Sequence, residues 1–90
     1  MLTIKVLGGG CRNCQILAEK TKEALEAVAV SQPEEFEATI VKVTEPENIQ
    51  KYAILYTPGL VINEKVVSAG RIPEVNEIQG WLQQALAAPA

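Results

Sequence analysis

The hydrophobic period of the chain changes abruptly after its first ten residues, and that change restricts the possible folds more than any other feature. Leu2, Ile4 and Val6 alternate with Thr3, Lys5 and Leu7, the two-residue repeat of a strand with one buried face. Gly8-Gly9-Gly10 then stops the alternation, as expected of a tight turn with exposed backbone. From residue 11 to about residue 30 the repeat is helical. Cys14, Leu17, Ala18, Thr21, Ala24, Leu25 and Val28 share one side, and Gln15, Glu19, Lys22, Glu23 and Glu26 take the other, which predicts a long amphipathic helix. The stretch Ser31-Gln32-Pro33-Glu34-Glu35 reads as a loop. Residues 36–43 then alternate again, from Phe36 through β-branched Thr39, Ile40, Val41 and Val43, and predict a second strand. Strand, helix and strand in that order favour a parallel pair joined by a right-handed crossover.

The second half supplies shorter elements. Thr44-Glu45-Pro46-Glu47 fits a capping box with Thr44 as N-cap, Pro46 in the first turn and Glu47 at N3, opening a short helix through about Tyr52. Thr57-Pro58 ends whatever precedes it, because the residue before proline is driven out of the helical region. Residues 60–62, a turn at Asn63-Glu64 and residues 65–69 predict a hairpin closed by Gly70, although Asn-Glu is a weaker turn signal than Asn-Gly. Pro73 is expected in the first turn of a last helix, with Glu74 and Glu77 complementing its dipole. Val75, Ile78, Leu82, Ala85 and Leu86 line one face of that helix to near Ala87, and residues 88–90 read as a frayed tail. Gly80 within it costs ~1 kcal/mol relative to alanine, and close packing beside Trp81 is one explanation. The order is βαβαββα, an α/β sandwich on a small mixed sheet.

Ninety residues suffice for one core, so a single domain over residues 1–90 is expected. A 48% hydrophobic and 21% charged composition lies far from the corner where chains stay disordered. The longest apolar run, Tyr52 to Tyr56, has five residues against the roughly 20 of a membrane-spanning helix. No apolar leader stretch follows Met1, so a cytoplasmic location is expected, without membrane association. Eight Lys plus Arg against eleven Asp plus Glu give a net charge of −3, and no basic patch invites nucleic acid.

Two cysteines, Cys11 and Cys14, and no histidine confine reactive chemistry to sulfur. In a cytoplasmic chain a lone C-x-x-C reads as redox or metal chemistry rather than a structural staple, and closing so small a loop adds little to folding. Cys11 falls at the start of the long helix and Cys14 nearly one turn later, close enough for a disulfide to open and close. Unpaired amides and partial positive charge at a helix N-terminus favour a thiolate. The dipole alone lowers a thiol pKa from ~8.5 by roughly one unit, and Arg12 adds to it. The expected roles are attack on a partner's disulfide by the more exposed Cys11 and resolution by the shielded Cys14; the reverse direction is equally allowed.

A strand, a glycine turn and G-C-x-N-C opening a long helix, followed by T-P-G-L-V-I-N before a hairpin and G-R-I-P before a final helix, together resemble the small thioredoxin-like redox-active disulfide proteins of bacteria and archaea. The resemblance covers nearly the whole chain. It implies a thioredoxin fold with a four-stranded mixed sheet of order 2-1-3-4, a cis peptide at Thr57-Pro58 facing the cysteines, and a Thr57 backbone that pairs with an extended substrate. Gly10, Arg12 and Gly70 complete the expected substrate contacts. No cofactor is expected. The implied partners are a protein or small-molecule disulfide and a reductase, with the chain acting as a monomer. Two departures stand out. Gly10 replaces the tryptophan that precedes the first cysteine of typical thioredoxins, and Lys5 stands where they place a buried acid. Lys5 either points inward to stabilise a thiolate or lays its stem along the sheet with its ammonium in water.

The rival reading is a soft-metal carrier of the Cu(I) type, which also places C-x-x-C between a first strand and helix. Gly9 in place of methionine, the terminal helix and Thr57-Pro58-Gly59 oppose it, and structural zinc lacks half its ligands. Gly8-Gly9-Gly10 lacks the G-K-[ST] ending of a phosphate loop. Phe36, Tyr52, Tyr56 and Trp81 read as core or rim, and the acidic cluster from Glu34 to Glu47 as a solvated face.

Overall fold

The structure, a computed structural model, describes residues 2–31, 36–54 and 56–87. Its elements are β1 (Leu2–Leu7), α1 (Arg12–Ser31), β2 (Ala38–Val43), α2 (Pro46–Gln50), β3 (Gly59–Ile62), β4 (Lys65–Ala69) and α3 (Val75–Ala87). The four strands form one mixed sheet in the order β2-β1-β3-β4. β1 runs parallel to β2 and antiparallel to β3, and β3 runs antiparallel to β4. Both the expected architecture and the expected strand order are present.

The alternation in β1 explains why two helices cover one face. Leu2, Ile4 and Val6 join Leu60 and Ile62 of β3 on that face and meet Leu17, Ala24 and Val28 of α1 and Ile78 and Leu82 of α3. Each such side chain contributes about 1.5–3 kcal/mol by leaving water. Thr21 lies in this apolar stripe without penalty because its hydroxyl donates to the Leu17 carbonyl at 2.7 Å. On the opposite face Leu7 and Val61 are buried, and Ile54, beyond α2, approaches Gly59 closely enough that a side chain there would collide with it.

Several element ends differ from the sequence reading, each for a local reason. β2 begins at Ala38, and Phe36 packs against the core from outside the strand. The N-cap of α2 is Glu45 rather than Thr44, and no side chain caps it. Pro46, whose fixed φ suits the first helical position, moves the helix start one residue on and leaves Glu47 at N2, so the capping box does not form. That helix stops at Gln50, before a turn over residues 51–53. Pro73 is fully buried and lies ahead of α3. The Glu74 carbonyl instead accepts the Ile78 N–H at 3.1 Å, and the Glu77 carboxylate reaches back to the Glu74 N–H at 3.2 Å. Ser31 belongs to α1; the rest of the loop it was expected to open, and the C-terminal tail, lie outside the described residues.

The hairpin turn succeeds despite its weak dipeptide. Asn63 and Glu64 both adopt positive φ, 50° and 66°, the requirement of a type I′ turn. Asn63 also pays for its strain by locking onto β1. Its N–H donates to the Thr3 carbonyl at 2.8 Å, and its side-chain oxygen accepts the Thr3 N–H at 3.0 Å. Apart from its chain neighbours and the backbone of its own helix, a Cβ at Gly80 would meet nothing within 4 Å. Gly80→Ala should therefore stabilise the fold by about 0.5–1 kcal/mol, while Leu17→Ala, fully buried, should cost about 2–5 kcal/mol. Urea unfolding of the two variants beside the parent checks both signs.

Candidate active site

β1 delivers the chain to the end of the sheet where the cysteines lie. The Gly8 N–H continues the parallel pairing by donating to the Val43 carbonyl at 2.9 Å. Gly10, at φ +86°, then turns the chain into α1, a conformation that L side chains rarely adopt. Cys11 is exposed at the N-cap, and its carbonyl accepts the Gln15 N–H at 3.0 Å. Its sulfur accepts the Cys14 N–H at 3.2 Å, so Sγ fills the place a serine or aspartate oxygen takes at other helix starts. Cys14 is only 5% exposed. A disulfide joins the two, with Cα atoms 5.0 Å apart.

Gly8 makes room for that bond. A Cβ there would overlap Cys14 Sγ and stand 3.2 Å from its Cβ, with the Thr57 Cβ 3.9 Å away. The same distances bring Thr57, in the segment before β3, to the glycine turn beside Cys14. The Thr57–Pro58 peptide bond is cis, with Pro58 buried and Thr57 exposed. The Pro58 carbonyl accepts the N–H of Gly70, whose φ is +78°, at 2.9 Å. A cavity of about 80 Å³ opens beside Cys14, lined by Val6, Gly8, Gly10, Gln15, Lys42 and Thr44.

Of the residues singled out in the sequence, Cys11, Cys14, Gly10, Thr57 and Pro58 thus gather at one end of the sheet. Arg12 lies exposed in the first turn of α1, and Gly70, just past the end of β4, donates its N–H to the Pro58 carbonyl. The sequence marks Gly8 only as part of a turn and gives no sign that Lys42 and Thr44 line the site. Only the register of Lys42 opposite Val6 connects that lysine to the site, and register is not visible along one chain.

Lys5 follows neither expectation fully. By strand alternation it faces away from Leu2, Ile4 and Val6, and its ammonium is bound rather than free. It donates to the Tyr52 hydroxyl at 2.7 Å and forms a short ion pair with Glu64, while Tyr52 also donates to Glu64 at 3.1 Å. The side chain of Lys5 keeps 24% of its exposure. Donating to the Glu64 carboxylate and the Tyr52 hydroxyl raises the Lys5 pKa, and the Lys5 ammonium with the Tyr52 hydroxyl lowers that of Glu64.

The signs define a pH window. With the Glu64 pKa lowered on folding, its contribution is present above the ordinary carboxylate value, ~4.3, and is lost as pH falls through the lower folded one. With the Lys5 pKa raised, its contribution holds below ~10.4 and is lost as pH rises through the higher folded value. Glu64→Gln should lower the melting temperature slightly between those limits and make no difference in acid, as read by melts at stepped pH. At the cysteines, Gly8→Ala should disfavour the oxidised state through its overlap with Cys14. Equilibration in thiol–disulfide buffers would then show a higher midpoint potential, by about 30 mV for each 1.4 kcal/mol of strain.

Comparison with known proteins places these features in a family. A model of the thioredoxin domain matches residues 2–83. A thioredoxin of Methanocaldococcus jannaschii is 34% identical over 86 residues, spanning 96% of this chain and 92% of that protein. A thioredoxin of Methanothermobacter thermautotrophicus is 30% identical over 79 residues, spanning 88% and 95%. Among solved structures, human ERp44 in its zinc-bound form superposes with a TM-score of 0.66 at 20% identity, over 98% of this chain. The chain spans only 27% of that protein, and the likeness concerns the fold alone. With an exposed sulfur at a helix start, a shielded one a turn later and a matching family model over most of its length, the chain belongs to the thioredoxin domain family.

Proposed function

We propose that the protein is a thiol–disulfide oxidoreductase in which Cys11 attacks and Cys14 resolves. The observation that carries the assignment is the difference between the two sulfurs. Cys11 is exposed and its sulfur already accepts an amide N–H at the helix start, an environment that favours thiolate over thiol. Cys14 is shielded beneath Gly8 and is reached from within the protein. In the reducing direction the Cys11 thiolate attacks a partner's disulfide, forming a Cys11–partner bond and expelling one partner thiolate. The Cys14 thiolate then attacks Cys11 Sγ, forming the Cys11–Cys14 bond and releasing the second partner thiolate. Two electrons pass from the dithiol to the partner, and the two partner thiolates take up the two protons that the cysteines gave up. An external dithiol or a reductase restores the starting state, and run backwards the same steps oxidise a partner dithiol.

The substrate is proposed to lie along Thr57 as an extended segment, held by the main chain on either side of Pro58. Gly10 leaves its path clear, Arg12 stands beside the reacting sulfur, and Gly70 fixes the Pro58 carbonyl from behind. One domain, acting as a monomer in the cytoplasm, suffices for this exchange. No described helix is long and apolar enough to cross a membrane.

Cys14→Ser should accumulate mixed disulfides through Cys11, and Cys11→Ser should abolish them; the same adducts in both variants would reject the assigned roles. Iodoacetamide alkylation of the reduced protein should show a midpoint for Cys11 below the ~8.5 of free cysteine. Tight stoichiometric Cu(I) binding against a competing chelator, with no disulfide reductase activity, would favour the metal-carrier reading instead.

A further inference from the structure

Three glycines precede Cys11, so the approach to the attacking sulfur from that side offers a partner only backbone. The segment before Pro58 differs. Tyr56 is 73% exposed, and among the described residues it is the only aromatic one so exposed; the other exposed large hydrophobics are Val30, Val41 and Val66. It directly precedes Thr57, whose Cβ lies 3.9 Å from where a Cβ on Gly8 would stand, the space that Cys14 Sγ occupies. Its base lies beside Gly70. A Cβ at Gly70 would come within 3.2 Å of the Tyr56 Cβ and 3.8 Å of Cδ2, so the side chain lies against bare Gly70 backbone. Gly70 is in turn tied to the Pro58 carbonyl at 2.9 Å. An aromatic side chain beside a reactive site adds contact area with only two side-chain torsions to fix.

We infer that Tyr56 is a specificity-determining residue that selects extended peptide disulfides carrying an aromatic or large apolar side chain beside their cysteine. The inference rests on the disulfide-exchange reading above. A segment paired with the Thr57 main chain runs past Tyr56 within one residue, because consecutive Cα atoms lie only about 3.8 Å apart. A side chain neighbouring the substrate cysteine then covers the exposed ring. A serine at the same place leaves that ring in water. The step itself is unchanged: Tyr56 takes no part in the electron transfer and acts on capture of the partner.

The test uses pre-reduced full-length protein in single turnover, with Cys11–Cys14 oxidation followed by maleimide trapping and mass. The probes are the symmetrical disulfides of two pentapeptides, Gly-Phe-Cys-Phe-Gly and Gly-Ser-Cys-Ser-Gly, and bis(2-hydroxyethyl) disulfide. Each peptide rate is divided by its rate with dithiothreitol. The parent should prefer the phenylalanine peptide about three- to tenfold, the range one aromatic contact supports. Tyr56→Ala should bring that ratio close to one, and Tyr56→Phe should retain it, since the ring rather than the hydroxyl makes the contact. Equal rates for both peptides with the parent, or an equal loss on all three probes in Tyr56→Ala, would overturn the inference while leaving disulfide exchange standing. Failure of the parent to exchange with any probe would reject the exchange reading itself, and this inference with it.

Discussion

The Cys14 amide lies 3.2 Å from the Cys11 sulfur, and the chemistry depends on that contact. A helix start leaves its first N–H groups without partners. Here one of them is satisfied by the Cys11 sulfur, so the group proposed to carry negative charge is the same group that completes the helix. The turn preceding it needs glycine for two separate reasons. At Gly10 the backbone must adopt a positive φ, and at Gly8 the space a side chain would fill is already taken by Cys14. Backbone geometry and sulfur packing are thereby solved within four residues of each other.

The sheet separates this chemistry from the rest of the molecule. One face of β1 anchors α1 and α3 through Leu2, Ile4 and Val6, which holds the helix start in place. The other face carries Lys5, bound to Tyr52 and Glu64. Where typical thioredoxins place a buried acid, this chain has a cation already neutralised by the hairpin turn. That pair is part of how the hairpin is held against β1, together with the two Asn63–Thr3 hydrogen bonds.

Much of this was legible along the chain because it is periodic. The alternation of Leu2, Ile4 and Val6 and the helical spacing of Leu17, Ala24 and Val28 identify their elements without any knowledge of neighbours, and the paired cysteines mark the reactive centre. What escaped depends on contacts between distant segments or on competing local preferences. Thr44 has the chemistry of an N-cap, but Pro46 fixes the helix start one residue later. Lys5 finds partners 47 and 59 residues away, and no local pattern indicates them. Gly8 serves a sulfur six positions on, across a turn whose path the composition alone does not specify.

Open space surrounds the positions where side chains at Gly9 and Gly10 would project, with no atom within 4 Å of either. The consequence is steric tolerance. A disulfide on the surface of a folded macromolecule would therefore meet no side chain from residues 9 and 10 as it neared the Cys11 sulfur.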